Sequence, residues 1–167
     1  MLVLGVDPGS RVTGYGLLEK DNNKVTCIDY GHIRSTAKIP FYERVHKIFL
    51  AMVEIMNHYH PHDMAIEDIF YAKNIQSSFK LGHARAAVLI AAVQCGVQIF
   101  EYTPLQIKKA VVGYGRASKE QSHSMVQVIL NIKNIPDFDT SDALATAICH
   151  LNWSTFESPT GKPSGKK

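Results

Sequence analysis

The chain opens on Met1-Leu2-Val3-Leu4-Gly5-Val6-Asp7-Pro8-Gly9-Ser10, and this stretch decides how the rest is read. An unbroken apolar run from Met1 to Val6 is the pattern of a strand buried on both faces. It ends in a carboxylate, Asp7, which has no packing reason to stand there, and Pro8-Gly9 then turns the chain. A second short run, Met64-Ala65-Ile66, ends the same way, in Glu67. Two further acids, Asp139 and Asp142, stand where a helical pattern begins, in Phe138-Asp139-Thr140-Ser141-Asp142-Ala143-Leu144-Ala145. Their spacing of three puts both on one helix face. If the two strands are neighbours in one sheet and the helix packs across their ends, four carboxylates converge on one spot. Like charges repel unless a cation joins them, and one or two Mg2+ ions are the usual solution. Metal-assisted phosphoryl transfer is the first reading.

Working outward, Val12 to Leu18 reads as a second strand after the Pro-Gly turn. Val25 to Ile33 reads as a third, after a turn at Asp21-Asn22-Asn23, giving an antiparallel meander. Phe41, Val45, Ile48, Phe49, Met52, Ile55, Met56 and Tyr59 repeat at helical spacing between Pro40 and Pro61. A helix over 77–94 is rich in small residues (Gly82, Ala84, Ala86, Ala87, Ala91, Ala92), which suits close approach to the sheet or to a second subunit. Gly96 stops it. A strand over 97–102 and a short helix over 104–111 follow, then a basic loop, Gly113-Tyr114-Gly115-Arg116. Ser118 with Gln121 forms a capping box for a helix to about residue 130. The last helix is expected over 140–153. This order predicts an α/β fold: one mixed five-stranded sheet with helices on both faces. The domain is expected to span 1–155, and the polar tail 156–167 to be disordered.

Composition narrows the class. Of 167 residues, 46% are apolar and 20% charged, as in a globular domain. No apolar run is long enough for a membrane span, and the start lacks the basic region and cleavage site of a signal peptide. Cys27, Cys95 and Cys149 are odd in number and widely spaced, which reads as reduced core thiols and a cytoplasmic location. Net charge is only +3, but residues 69–135 carry eight basic side chains against two acidic ones, a local +6. An acidic centre flanked by a basic segment suits metals on the carboxylates and phosphates on the lysines. The plain alternative is a set of solvated basic helix faces.

The order of elements, with acids ending the first and fourth strands and on the last helix, resembles the ribonuclease-H-like nucleases. Within them, five segments resemble the RuvC family of Holliday junction resolvases. They are Gly5 to Gly16, Ile66 to Asn74, Lys80 to Ala86, Val111 to Lys119 and Ser141 to Ala145, in order along the chain to about residue 153. The resemblance implies a homodimeric, Mg2+-dependent endonuclease that nicks two opposing strands of a four-way junction. It implies two Mg2+ per subunit, with Mn2+ able to substitute, and RuvA and RuvB as branch-migration partners. It assigns the catalytic acids to Asp7, Glu67, Asp139 and Asp142, a junction-contacting aromatic to Phe70, and DNA-contacting or catalytic lysines to Lys108 and Lys119. Selectivity for thymine-containing sites is likewise implied. Two departures stand out: Thr140-Ser141 between the last two acids, and an extra acid, Asp68, expected on the opposite face from Glu67 if the strand continues through it.

Phosphodiester hydrolysis needs a water deprotonated near neutral pH and a stabilised leaving oxygen, which two Mg2+ ions about 3.5–4 Å apart can supply. Asp7, on the central strand, is the expected bridging ligand. Lys119 is expected to neutralise the scissile phosphate. Phe70 and Tyr71, near Lys73, suit stacking on an unpaired base. Arg11, Arg85, Lys108, Lys109 and Arg116 are further phosphate-contact candidates. Each has a plainer alternative: Asp139 as a helix N-cap, Glu67 as a solvated strand end, Phe70 folded into the core, the lysines as helix surface. His58, His60 and His62 alternate around Pro61 like a metal tract, but they sit between a helix and a strand without nearby cysteines. A surface loop is the favoured reading. Two other functions compete: a non-catalytic four-way-junction binder, and an actin-like phosphotransferase, which needs a second lobe that 167 residues leave no room for.

Overall fold

In a computed structural model of the chain, the structure describes residues 1–22, 24–68 and 75–156, with 154–156 as backbone only. Strands β1 (Leu2–Asp7), β2 (Val12–Asp21) and β3 (Lys24–Arg34) form the expected antiparallel meander. Helix α1 (Phe41–Tyr59) crosses to β4 (Asp63–Glu67), and α2 (Ile75–Gln94) crosses to β5 (Gln98–Tyr102). Three helices complete the fold: α3 (Pro104–Val112), α4 (Lys119–Leu130) and α5 (Phe138–Phe156). The sheet runs β3-β2-β1-β4-β5, so β1 is central, with β4 parallel to it and β5 parallel to β4. α5 reaches Phe156, one residue past the expected domain end, and 157–167 lie outside the described residues.

Alternation along the strands sorts the core into two layers. Leu4, Val6, Leu17, Met64 and Ile66 point one way, onto Ile48, Met52 and Met56 of α1 and Ala84, Val88 and Ala91 of α2. Val3, Leu18 and Ala65 point the other way, onto Ile107 and Val111 of α3, Val126 of α4 and Leu144, Ala147 and Ile148 of α5. The small residues of α2 therefore serve the sheet and α1 on their inner side.

The helix ends follow local chemistry. α1 closes on His60, whose left-handed backbone (φ 49°) lets its N–H reach Met56 O, and Pro61 prevents continuation. α3 and α4 both begin with full capping boxes, Thr103 with Gln106 and Ser118 with Gln121. They end on left-handed Gly113 and Asn131. Where α5 crosses the sheet, glycine is required on the strands beneath. A Cβ on Gly14 would strike the Asp139 carbonyl, and one on Gly5 would strike the Ala143 carbonyl and stand 2.8 Å from Ala147 Cβ. The first half of α5 thus lies on the sheet backbone to backbone.

Candidate active site

Strand parity aims the two strand acids. Val3 and Gly5 face α5, so Asp7, two residues on, faces α5 as well; Ala65 faces α5, and so does Glu67. β1 and β4 pair with Val6 opposite Ile66, which sets Asp7 and Glu67 side by side at the ends of adjacent parallel strands. Asp139 and Asp142 lie in the first turns of α5 over that same sheet end. The four are electrostatically coupled. Burial, and then Asp142, Glu67 and Asp139, hold the Asp7 carboxyl well above the usual carboxylate range, against the opposing pull of Lys119. Burial and Asp142 raise Glu67, against Lys119, Lys108 and Arg85. Burial also raises Asp142, offset by Lys119, with Asp139 adding to the rise. Lys119 Nζ is 3.3 Å from Asp142 Oδ2, and its ammonium is held above the ordinary lysine value, first by Asp142.

Of these groups, Glu67, Asp142 and Lys119 line a cleft of about 220 Å³, with Lys108 and Ser122, over an apolar wall that includes Ile107 and Val111. Ser122, one turn beyond Lys119 on α4, is buried and its hydroxyl has no hydrogen-bond partner among the described residues. The donors are all hard carboxylate oxygens, the set that suits Mg2+. Yet among the described residues no three His, Cys, Asp or Glu side chains gather closely enough to form a ready ligand set. The four carboxylates share an electrostatic field, with Glu67 and Asp142 in the cleft itself, without forming a ready three-ligand set among the described residues.

The comparisons with known proteins bear on what such a cleft is for. The family described as crossover junction endodeoxyribonuclease RuvC matches residues 3–150. The chain belongs to the RuvC family. A crossover junction endodeoxyribonuclease RuvC of Geobacter sulfurreducens is 47% identical over 158 residues, covering 95% of this chain and 96% of the relative. Its counterpart from Geobacter metallireducens is 49% identical over 152 residues, covering 91% and 93%. A solved structure of T. thermophilus RuvC in complex with Holliday junction substrate superposes with a TM-score of 0.88 at 32% identity, covering 93% of this chain and 96% of that one. The expected ribonuclease-H-like fold and its mixed five-stranded sheet are thereby established, in their RuvC form.

Within that RuvC frame, the remaining sequence candidates fall in different places. Lys108 faces the acid cleft, whereas Lys109 lines a separate groove with Lys20, Leu105 and Trp153. Neighbouring helix positions face about 100° apart, so Lys109 is not part of the acid site. Arg85 is not a free phosphate contact either. It is buried, its Nη2 is 2.5 Å from Glu101 Oε1, and its Nη1 donates to the Glu67 carbonyl. It braces the strand end that carries Glu67. Arg11 and Arg116 are exposed. Phe70, Tyr71 and Lys73 lie outside the described residues. Strand β4 stops at Glu67, so the expected opposite-face position for Asp68 does not apply, although its N–H still bonds Tyr102 O.

The N-cap alternative for Asp139 is replaced by a neighbour that the sequence reading passed over. α5 starts at Phe138, two residues earlier than expected, and Asp137 Oδ1 accepts the Thr140 N–H at 2.8 Å. Asp139 is inside the first turn, and its charge acts on Asp7 and Asp142. Burial pushes Asp137 upward, but the Thr140 hydrogen bonds, Arg34 and His32 outweigh it and hold its carboxyl below the usual range. Thr140, fully buried, donates its hydroxyl to Gly31 O at 3.1 Å, which ties the helix start to β3 and accounts for one departure from the family pattern. His62 takes the Leu2 N–H on Nδ1 at 3.0 Å, an anchoring role for a member of the histidine tract.

Proposed function

We propose that this chain resolves Holliday junctions, nicking two opposing strands of a four-way junction symmetrically in an Mg2+-dependent reaction during recombination and repair. The observation that carries the reading is the electrostatic coupling of Asp7 and Glu67, at the ends of β1 and β4, with Asp139 and Asp142 of α5, in a chain of the RuvC family. Crossover junction endodeoxyribonuclease is the activity named for its relatives.

The four carboxylates are the residues that would hold metal, with Asp7 central because it couples to the other three. A divalent ion held there, Mg2+ or Mn2+ in its place, would lend the Lewis acidity that activates a water near neutral pH and stabilises a leaving oxygen. The chain's own groups do the positioning. Lys119 neutralises Asp142 in the free protein and is placed to exchange that partner for a phosphate oxygen. Lys108 extends the positive rim, and Phe70 with Tyr71 and Lys73 are the proposed junction contacts beyond β4. Arg11 and Arg116 remain proposed phosphate contacts on exposed loops.

Two cuts related by a two-fold axis need two such sites, which favours a C2 homodimer. The outer side of α2 supports this. Ile75, Phe79, Ile90 and Val93 are exposed along one line of that helix, with Gly82 and Ala86 between them. No described atom lies within 4 Å of a Cβ built on Gly82. That stripe suits close packing against its own copy. RuvA and RuvB are the proposed partners on family grounds. No helix among the described residues is long and apolar enough to cross a membrane, and three free thiols suit a cytoplasmic setting.

The test is a strand-resolved nicking assay on a synthetic four-way junction with Mg2+, run beside linear duplex. Paired symmetric nicks on the junction alone are expected. Tight junction binding without cleavage, across several core sequences, would favour the junction-binding scaffold.

A further inference from the structure

Two arginines are buried in this protein, and they are compensated very differently. Arg85 has Glu101 on one side and the Glu67 carbonyl on the other. Arg44, on the first turn of α1, is 9% exposed and has no carboxylate within ion-pair distance among the described residues. The sequence of 69–74, Ile-Phe-Tyr-Ala-Lys-Asn, has no acid to offer. Its Nη1 donates a long bond to Ser10 O at 3.3 Å, and its enclosed Nε has no partner among the described residues. The guanidinium lies over the Phe41 ring at 5.2 Å, and His83 of α2 meets that ring edge-on at 5.5 Å. A guanidinium does not shed its proton, and a buried charge without a counter-charge is unfavourable.

The position of this cation is informative. Ser10 ends the turn Asp7-Pro8-Gly9-Ser10, so Arg44 stands beside the loop that leaves the acid cleft, in the α1 layer of the sheet. The same turn begins with Asp7, and two further basic residues stand close to Ser10 and Arg44 along the chain. Arg11 is exposed on the same loop, and Lys47, one turn along α1, has its Nζ on Arg34 O. Glu43 is adjacent in sequence but exposed, makes no ion pair, and faces another side of the helix. An anion arriving here would meet the outer edge of a guanidinium already held by Phe41 and Ser10, since Nε itself is enclosed by protein.

We propose that Arg44 binds a backbone phosphate of the strand that enters the acid cleft, at a point away from the cut. The proposal rests on the junction-cleaving reading for the identity of that strand. The planar fork of arginine suits two phosphate oxygens, and its pre-positioning lowers the entropic cost of the contact.

Fluorescence anisotropy of a labelled four-way junction, across a salt series in EDTA, tests this with the full chain. Arg44→Met and Arg44→Gln are compared with wild type, with Arg44→Lys, and with Lys24→Met at the far end of the sheet. Gln retains a donor for Ser10 without the charge. Both uncharged variants are expected to lower the slope of log affinity against log salt by about 0.9, the loss of one phosphate contact. Affinity at moderate salt should fall roughly tenfold, while the melting temperature equals or exceeds wild type. Arg44→Lys and Lys24→Met should keep the wild-type slope. If Arg44→Met does not fold, the Gln and Lys pair carries the same contrast. A wild-type slope in the uncharged variants, with a lowered melting temperature, would overturn the proposal and leave Arg44 as a brace for Ser10. Failure of the wild-type chain to bind or nick the junction would instead overturn the functional reading, and this one with it.

Discussion

The two ends of α5 carry carboxylates in opposite circumstances. At its start, Asp139 and Asp142 meet Asp7 and Glu67, and the one ion pair among them is Lys119 with Asp142. Toward its other end, His150 is 2% exposed and closed on both sides. Its Nδ1 is 2.7 Å from the Tyr102 hydroxyl and its Nε2 is 3.0 Å from Asp63 Oδ2. One protonation pattern satisfies all three groups, with Nε2–H on Asp63 and Tyr102 O–H on Nδ1. Asp63 and Glu67 are the two ends of one strand, so the contrast is not one of burial or fold position. It is one of completion. A polar network closed by the protein itself holds the fold, whereas one left with surplus like charge is a place for something from outside.

The largest effect that would break this comparison is Asp7→Asn. Nicking should fall by more than about a hundredfold while junction binding persists. Wild-type nicking by this variant would remove Asp7 from the chemistry. At the closed end, Tyr102→Phe strips His150 of its hydroxyl partner. It should lower stability by about 1–3 kcal/mol, read as a chemical-denaturation shift, with nicking unchanged well below the melting temperature. A large loss of nicking there would mean that the two ends are coupled.

The open end should also reveal itself without substrate. Asp7 is raised in the folded protein, so its folded state binds a proton more readily than the unfolded chain does. In metal-free buffer its ionisation therefore opposes folding at neutral pH. That penalty shrinks as pH falls through the elevated value and is gone below the ordinary carboxylate value of about 4. Asp7→Asn should accordingly raise the melting temperature at pH 7 in EDTA, with the gain fading toward pH 4, and Mg2+ should stabilise the wild type more than the variant. A gain independent of pH would point to packing instead of charge.

Between the two extremes lies the helix start. Asp137→Ala removes the cap and should cost about 0.5–2 kcal/mol, most of it restored by Asn. The smallest effect is expected of Ser122→Ala. Its buried hydroxyl has no partner to lose, so stability should change by less than about 0.5 kcal/mol. A larger drop would show that the hydroxyl is engaged in solution.

Much of this was legible in the sequence because strands have period two. Once Val3 and Ala65 are assigned to one layer, Asp7 and Glu67 must follow them, whatever the details of packing. Helices resist the same treatment. Lys108 and Lys109 are adjacent, and only the rotation of α3 against α5 decides that Lys108 faces the acids. Asp137 and Asp139 are equally good capping residues in sequence. The choice falls to where α5 begins, which its seat on Gly14 helps to fix. Arg85 gave no sign of its partner, since Glu101 lies on a strand that only folding brings near. Arg44 did leave a sign. It stands four residues before Ile48, in the inward row that continues through Met52 and Met56, where an apolar residue was due.

The backbone-to-backbone seat of α5 on Gly5 and Gly14 limits how this protein can adjust. A helix cushioned by a layer of side chains can slide or roll by repacking rotamers; one resting directly on a strand has no such cushion. If the four proposed acids hold a metal ion, its uptake would be a matter of carboxylate and Lys119 side-chain torsions about a stationary frame. Such motions belong to the picosecond-to-nanosecond range of side chains instead of the slower range of moving helices. The site is a hand whose fingers move while the palm stays still.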